Sequence, residues 1–112
     1  MKGTNLGEFQ ELVLLTIGSL HPEAYGVAIK EEIFTHTNRK VTLSTVHAAL
    51  SRLEKKGFVK SDLGEATKIR GGKRKRYFTI TAYGVKMLSE AKQQRELLWN
   101  SIPDVVFQIN FG

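Results

Sequence analysis

At 112 residues, with 41% apolar and 25% charged side chains, the chain has the size and composition of one globular domain rather than of a disordered segment. It contains no cysteine, which excludes a disulfide framework, a thiolate zinc site and a cysteine nucleophile. The 17 Lys and Arg against 11 Asp and Glu give a net charge of +6, and the absence of a secretory signal or a long apolar run leads us to expect a cytoplasmic protein without membrane contact.

The first predicted element is a helix that ends near Leu20. Asn5 and Glu8 have the spacing of a capping box, with Asn5 as N-cap and Glu8 at N3. One face of this helix is an apolar stripe of Leu6, Phe9, Val13, Ile17 and Leu20. Further faces are also apolar, because they carry Leu12, Leu14 and Leu15. A helix this apolar must be buried on more than one side, which a small domain seldom provides by itself. We therefore expect a second copy of the chain to cover part of it.

Two more helices follow. The second is predicted from about Ala24 to Thr35, after a break at His21-Pro22, because the residue before a proline is biased away from helix. Thr42 is expected to cap the third helix, which runs to Lys56 and ends at Gly57 in a left-handed conformation. Opposite its apolar stripe this helix carries Ser44, Thr45, His47, Ala48, Ser51, Arg52 and Lys55. Short hydroxyl side chains at one end and cations at the other suit a helix that enters the DNA major groove.

The remaining elements are a hairpin and a last helix. Residues 58–63 and 76–80 have strand-like composition and are separated by a polar loop containing glycines. Thr81 is expected to cap a helix from Ala82 to about Ile102, and the apolar tail after Pro103 to pack on the domain or on a partner subunit. This order is mostly α with a small β-hairpin (α+β), as in a winged helix-turn-helix with the hairpin as its wing. Residues 1–81 are the predicted DNA-binding domain and residues 82–112 a C-terminal dimerisation helix and tail, in one structural unit.

Positive charge is concentrated in two segments. Residues 68–76 hold six cations and no acid, and the remaining Lys and Arg only equal the Asp and Glu in number. Residues 39–60 add six cations against Glu54 alone. Because these segments coincide with the third helix and the wing, we interpret them as a polyanion-binding face. The DNA-binding candidates are Ser44, Thr45, His47, Ser51, Arg52, Lys55, Lys73, Arg74, Lys75 and Arg76.

Several motifs together resemble the PadR family of transcriptional regulators over roughly residues 9–90. They are ELVLLTIGSL (11–20), Tyr25-Gly26, the pattern ALxRLExxG (49–57), GGKRKRYF (71–78) and TxxG (81–84). The leucine pattern is common to many winged helices, whereas the basic GG–RYF strand followed by TxxG is more specific. His47-Ala48 stands where the family usually has Tyr-Pro, so a tyrosine contact is not carried over to this position. The short C-terminus resembles the subclass without a large C-terminal domain.

The resemblance implies a homodimeric, repressor-like protein that binds pseudo-palindromic operators in double-stranded DNA. It also implies, for some members, a response to a small aromatic effector in a pocket near the dimer interface. Trp99 and Leu98 are the effector-binding candidates, with plain packing between subunits as the alternative for Trp99. The dimerisation candidates are Leu6, Phe9, Leu14, Leu88, Leu98, Trp99 and Ile102.

No enzyme, cofactor or metal site is predicted. The three histidines are scattered without a partner at metal-ligand spacing, and Gly71-Gly72 precede a strand rather than the helix that a phosphate-binding loop requires. Two other functions remain open from the residues alone: a protein-interaction module with a basic face, and an RNA-binding winged helix without operator specificity. A cationic wing does not by itself distinguish types of duplex.

Overall fold

The computed structural model describes residues 6–64 and 74–109. Within these ranges the elements in chain order are α1 (Glu8–Leu20), α2 (Gly26–Thr37), α3 (Leu43–Lys55), β1 (Val59–Leu63), β2 (Arg76–Ile80), α4 (Ala82–Asn100) and α5 (Asp104–Ile109). The predicted class, mostly helical with a small hairpin, is confirmed. The predicted Asn5 cap, the wing-tip residues 65–73 with Lys73, and the last three residues of the tail lie outside the described ranges.

Helix α1 is the centre of the domain. It contacts α2, α3, α4 and β2, so several of its faces are covered within one protomer. Val13, Leu14 and Ile17 are completely buried as a result. Leu14, a predicted dimerisation residue, is thus buried within the protomer and has no exposed area in this structure. Leu15 is the large apolar side chain of α1 that stays exposed, at 49%.

Helices α2 and α3 form the helix-turn-helix. Asn38 ends α2 in the left-handed conformation (φ 58°), and the Thr42 hydroxyl accepts a hydrogen bond from the Thr45 amide at 3.1 Å, which confirms the predicted cap of α3. The buried stripe of α3 consists of Val46, Ala49, Leu50 and Leu53. Helix α2 begins at Gly26, two residues later than predicted. The Ala24 carbonyl instead accepts a hydrogen bond from the Phe78 amide of β2, at 2.8 Å.

The wing is an antiparallel hairpin whose register runs from Val59 opposite Ile80 to Leu63 opposite Arg76. Its base is part of the core, since Val59 and Phe78 are buried. Gly57 precedes it with φ 81°, the left-handed conformation predicted for the end of α3. The wing thus leaves the domain directly from the end of α3.

The two ends of the wing are joined to each other where α4 begins. Thr81 donates from its hydroxyl to the Gly57 carbonyl (2.6 Å) and from its amide to the Phe58 carbonyl (3.0 Å). Its hydroxyl also accepts from the Gly84 amide (3.0 Å), the cap of α4 expected from the sequence. Gly84 is buried against the Phe58 backbone, which brings the first turn of α4 onto the base of the wing. We call these four residues the wing-base junction.

Beyond its first half, helix α4 extends away from the domain. Ala91 is its last buried residue, and Leu97, Leu98 and Trp99 are exposed. The apolar tail forms the short helix α5, whose Phe107 ring lies 5.2 Å from the Trp99 ring. No helix in the described ranges is long and apolar enough to cross a membrane.

Replacing Gly84 with Ala is expected to destabilise the protein, because a Cβ at this position would overlap the Phe58 carbonyl oxygen and lie 2.8 Å from Cγ2 of Ile80. Overpacking of this kind costs about 1–3 kcal/mol, measured as the free energy of unfolding in urea. Gly18→Ala is the matched control, since its Cβ would meet only the flexible Cδ1 of Ile80 at 3.3 Å. Equal stability of the two variants would contradict the assigned role of Gly84.

Candidate DNA-binding surface and apolar groove

The exposed face of α3 carries six of the DNA-binding candidates. Ser44, Thr45, His47, Ser51, Arg52 and Lys55 are all exposed. Their common face lies opposite the buried stripe, as expected from the helical spacing. The side chains of Ser51, Arg52 and Lys55 make no hydrogen bond to any other residue that the structure describes, so their donors are available to a ligand.

The hydroxyl groups at the start of α3 form one cluster around the capping threonine. Thr42 Oγ1 lies 2.8 Å from Thr45 Oγ1 and 3.1 Å from Ser44 Oγ. Sequence reasoning treated Thr42 only as a cap. In the structure it also orients the two hydroxyl side chains that are candidates for contacts with base edges or phosphates. The hydroxyl groups of Ser44 and Thr45 retain further hydrogen-bonding capacity, because a hydroxyl can donate once and accept twice.

His47 lies where α3 meets the first turn of α2. A Cβ placed on Gly26 would be 2.9 Å from Cε1 and 3.1 Å from Nε2 of the imidazole. The ring therefore occupies the space that a larger residue at position 26 would need. This contact explains why Gly26 stands at the start of α2, and it fixes the ring on the flank of α3 nearest that helix.

The base of the wing carries three cations, Arg74, Lys75 and Arg76, and Arg76 is linked to α3. Arg74 donates from Nε to the Gly64 carbonyl (2.8 Å), and Arg76 donates from Nη1 to the Ser61 hydroxyl (3.0 Å). That hydroxyl in turn donates to Glu54 of α3 at 3.0 Å. Each arginine uses one of its five N–H donors in these bonds, so both keep donors for a ligand.

The third wing-base cation, Lys75, lies over one aromatic ring. The Nζ atom of Lys75 lies 4.3 Å from the centroid of the Tyr25 ring, within the range of a cation–π interaction. The Tyr25 ring also packs edge-on against Tyr77, with 5.8 Å between centroids and 81° between planes. Sequence reasoning assigned Tyr25 no contact with the wing. Nothing in the spacing of residues 25 and 75 predicts that they meet.

The other flank of α3 faces the beginning of α1. Arg52 and Thr45 line a cleft of about 330 Å³ there, together with Gln10, whose side-chain carbonyl accepts from Lys56 Nζ at 2.8 Å. Arg39, in the turn before α3, pairs with Glu8 at 2.8 Å and stacks 5.1 Å above Phe9. Because Glu8 neutralises Arg39, the positive charge of this face comes mainly from the end of α3 and from the wing base.

A second surface, on the side of α1 and α4, is apolar. A groove of about 1190 Å³ runs between these helices, and its apolar lining comprises Leu15, Val85, Leu88, Leu98, Trp99 and Ile102. Charged residues border it, with ion pairs Arg95–Glu11 (2.6 Å) and Lys92–Glu96 (3.0 Å). The hydrogen bond to Glu11 and the charges of Glu11 and Glu8 raise the pKa of Arg95 above its ordinary value, so its guanidinium stays positive.

The groove gathers some of the dimerisation candidates and not others. Leu88, Leu98, Trp99 and Ile102 line it, with the exposed fractions of Leu98 and Trp99 at 71% and 63%. Leu6 and Phe9 instead pack against the core at the start of α1, and Phe9 lines the cleft beside α3. Leu15 and Val85 belong to the groove but were not singled out, because α1 and α4 each have apolar residues on several faces.

Comparisons with known proteins agree with this geometry. Residues 13–90 match the model of the transcriptional regulator PadR-like family. Among curated proteins, none matches the chain. A transcriptional regulator from Clostridium thermocellum is similar in structure, with 26% sequence identity, a TM-score of 0.67, and coverage of 90% of this chain and 88% of that one.

Two further solved structures share the fold. A PadR-like transcriptional regulator from Bacillus cereus has 21% identity and a TM-score of 0.70, over 88% of this chain and 90% of that one. A PadR family regulator from Clostridium difficile has 23% identity and a TM-score of 0.69, over 84% and 93%. The family match spans more than half of the chain. The solved structures share its winged-helix fold. The chain belongs to the PadR-like family, whose members are transcriptional regulators and not enzymes.

Proposed function

We propose that this protein binds double-stranded DNA as a homodimer and acts as a transcriptional repressor at a pseudo-palindromic operator. The observation that carries the proposal is the link between the wing cation Arg76 and helix α3, whose exposed face carries Arg52 and Lys55. Ser61 Oγ bridges Arg76 of the wing and Glu54 of α3, so the two parts of the surface are held together. The proposed site of action is the cytoplasm, as expected from the sequence.

In this proposal α3 enters the major groove and the wing lies along the sugar–phosphate backbone. The hydroxyl cluster of Thr42, Ser44 and Thr45 is at the N-terminal end of α3, where recognition helices contact base edges. Arg52 and Lys55 lie about two to three turns further along the helix, and their long side chains can reach phosphates. The hydroxyls would provide sequence preference, while the cations would mainly provide affinity.

A homodimer is supported by the apolar side of the molecule. Leu15, Val85, Leu98 and Trp99 are large apolar side chains that are about half exposed or more. Contiguous exposed apolar surface of this kind marks an interaction site in soluble proteins. A two-fold arrangement through α1 and α4 would present two copies of α3 to two half-sites, which helix-turn-helix dimers read about 34–36 Å apart. Repression would follow from occupation of a promoter.

An effector response is the last part of the proposal. The Trp99 ring is largely exposed at the groove, and its ring contact is with Phe107, at 5.2 Å between centroids. A planar aromatic molecule could stack on its free face, whereas the subunits could equally pack there without a ligand. A ligand bound between α1 and α4 would change the distance between the two copies of α3 in the dimer. The affinity for the operator would change as a result.

The wild-type protein is expected to bind duplex DNA from upstream of its own gene more tightly than random duplex DNA or RNA, by roughly a thousandfold or more at physiological salt. Replacing both Arg52 and Lys55 with Ala should weaken all DNA binding. It should also make the slope of log K against log salt less steep by about 0.9 for each lost phosphate contact. Fluorescence anisotropy with labelled duplexes measures both quantities.

Lys86→Ala is the charge control for that experiment, since Lys86 is exposed on α4. It should leave the salt slope unchanged. Equal affinity for promoter DNA, random DNA and RNA would remove the operator-specific function and leave a general nucleic-acid-binding module. A complete absence of binding would favour a protein-interaction module instead.

Leu98→Asp is expected to weaken the dimer, because it places a charge in the proposed apolar interface. Desolvation of an unpaired carboxylate should raise the dimer dissociation constant by roughly a hundredfold or more, measured by sedimentation equilibrium. Val27→Asp is the matched control, an exposed apolar residue on α2 outside the groove. A dimer that tolerates Leu98→Asp as well as Val27→Asp would rule out this interface.

Trp99 is the only tryptophan, so its fluorescence reports on the groove without interference. If the groove binds an effector, titration with planar aromatic compounds should quench this fluorescence in a saturable way. The same ligands should change the affinity for operator DNA. A non-planar ligand of similar size serves as the control. A change that grows linearly with concentration and never saturates would leave Trp99 as a packing residue between subunits.

A further inference from the structure

Tyr25 lies at the point where the helix-turn-helix and the wing meet. It is the half-buried residue immediately before α2, in an extended conformation. Its ring contacts two wing residues, the Lys75 ammonium at 4.3 Å and the Tyr77 ring at 5.8 Å between centroids. Neither family resemblance nor sequence spacing assigned these contacts to it.

The backbone on either side of Tyr25 is fixed as well. Ala24 accepts a hydrogen bond from the amide of Phe78, one residue after Tyr77 in β2. Gly26, the next residue, lies directly beneath the His47 imidazole of α3. A short path of contacts therefore leads from the wing through residues 24–26 to the recognition helix.

Lys75 would otherwise be poorly fixed. It precedes β2, belongs to a two-stranded hairpin of a kind that is only marginally stable by itself, and has a long side chain with several rotatable bonds. Its carbonyl accepts from the Gly64 amide at 2.7 Å, which fixes its backbone but not its ammonium group. Only the Tyr25 ring, among the described residues, contacts that group.

We infer that Tyr25 is a positioning residue for DNA binding. Its ring holds the Lys75 ammonium at a set distance from α3, so that the wing cation and the recognition helix meet the DNA backbone in one preformed arrangement. The ring covers one side of the ammonium, and the N–H groups on the other side remain available to a phosphate. This role rests on the proposed function, because it presupposes that the protein binds DNA.

The same contact could act in the opposite sense, by withdrawing Lys75 from DNA. The two senses predict opposite effects of removing the ring. If the ring positions the ammonium for a phosphate, removing it weakens binding because the lysine must lose its freedom on association. If the ring competes with the phosphate, removing it strengthens binding. Lys75 is exposed, so no burial of its charge complicates the comparison.

The test is a double-mutant cycle of Tyr25→Ala and Lys75→Ala, with dissociation constants measured on a random-sequence duplex over a range of salt concentrations. Lys75→Ala should weaken binding and make the salt slope less steep by about 0.9. Tyr25→Ala should weaken binding severalfold, and in its presence the further loss from Lys75→Ala should largely disappear. Tyr25→Phe, which keeps the ring, should bind within about twofold of wild type.

Two variants separate positioning from a general loss of structure. Tyr25→Leu keeps apolar bulk against Tyr77 but has no aromatic face, so it should abolish the coupling to Lys75 even if Tyr25→Ala does not fold. Arg52 lies on the far flank of α3, so Arg52→Ala should raise the dissociation constant for the duplex by the same factor in wild type and in Tyr25→Ala. A merely structural role of Tyr25 would alter the effects of both cations.

Each outcome decides between the alternatives. Additive effects of the Tyr25 and Lys75 substitutions would overturn the positioning role, as would tighter binding by Tyr25→Ala. Tyr25→Phe binding as weakly as Tyr25→Ala would show a direct hydroxyl contact and also overturn it. A wild-type protein that binds no duplex would remove the proposed function and this inference together, whereas binding with an additive cycle would remove the inference alone.

Discussion

The wing-base junction is the constraint on which the arrangement of this protein depends. Gly57 turns the chain out of α3 with a left-handed backbone, and Thr81 returns it by bonding to the carbonyls of Gly57 and Phe58. Gly84 then lets α4 begin in direct contact with the Phe58 backbone. The end of α3, the start of β1, the end of β2 and the start of α4 therefore lie close to one another.

This common origin relates the two surfaces of the molecule. The hydroxyl groups and cations of α3 and the wing base lie on one side, and the apolar groove of α1 and α4 lies on another. Because α4 begins at the wing base, a change in the packing of α4 against α1 or against a second subunit acts on the same residues that support the wing. In the proposed regulator, an effector in the groove and DNA on α3 would be coupled through this rigid connection and not through a flexible linker.

The charged residues near α1 and those on α3 differ in whether they are paired. Several cations near α1 are paired: Arg39 with Glu8 and Arg95 with Glu11. The side chains of Ser51, Arg52 and Lys55, by contrast, have no hydrogen-bond or ion-pair partner among the residues that the structure describes. Exposed ion pairs add little stability, so these pairs matter more for where net charge remains than for holding the fold. The remaining charge lies on α3 and at the wing, where the proposed polyanion would bind.

The sequence by itself determined the local features of the fold. Thr42 and Thr81 were predicted as caps, Gly57 as a left-handed terminus and residues 76–80 as a strand, and the structure confirms each of them. These features depend on the conformational preferences of a few neighbouring residues, which a sequence displays directly. The class of fold followed from their order.

Only the tertiary structure decided which apolar faces are buried and which distant residues meet. Leu14 and Leu15 are adjacent and equally apolar, yet the first is in the core and the second faces the groove, because α1 is surrounded by four other elements. The contacts of Tyr25 with Lys75 and of Gly26 with His47 join residues that are far apart in the chain. Such contacts depend on the sum of all packing interactions in the domain, and no local pattern of residues carries that information.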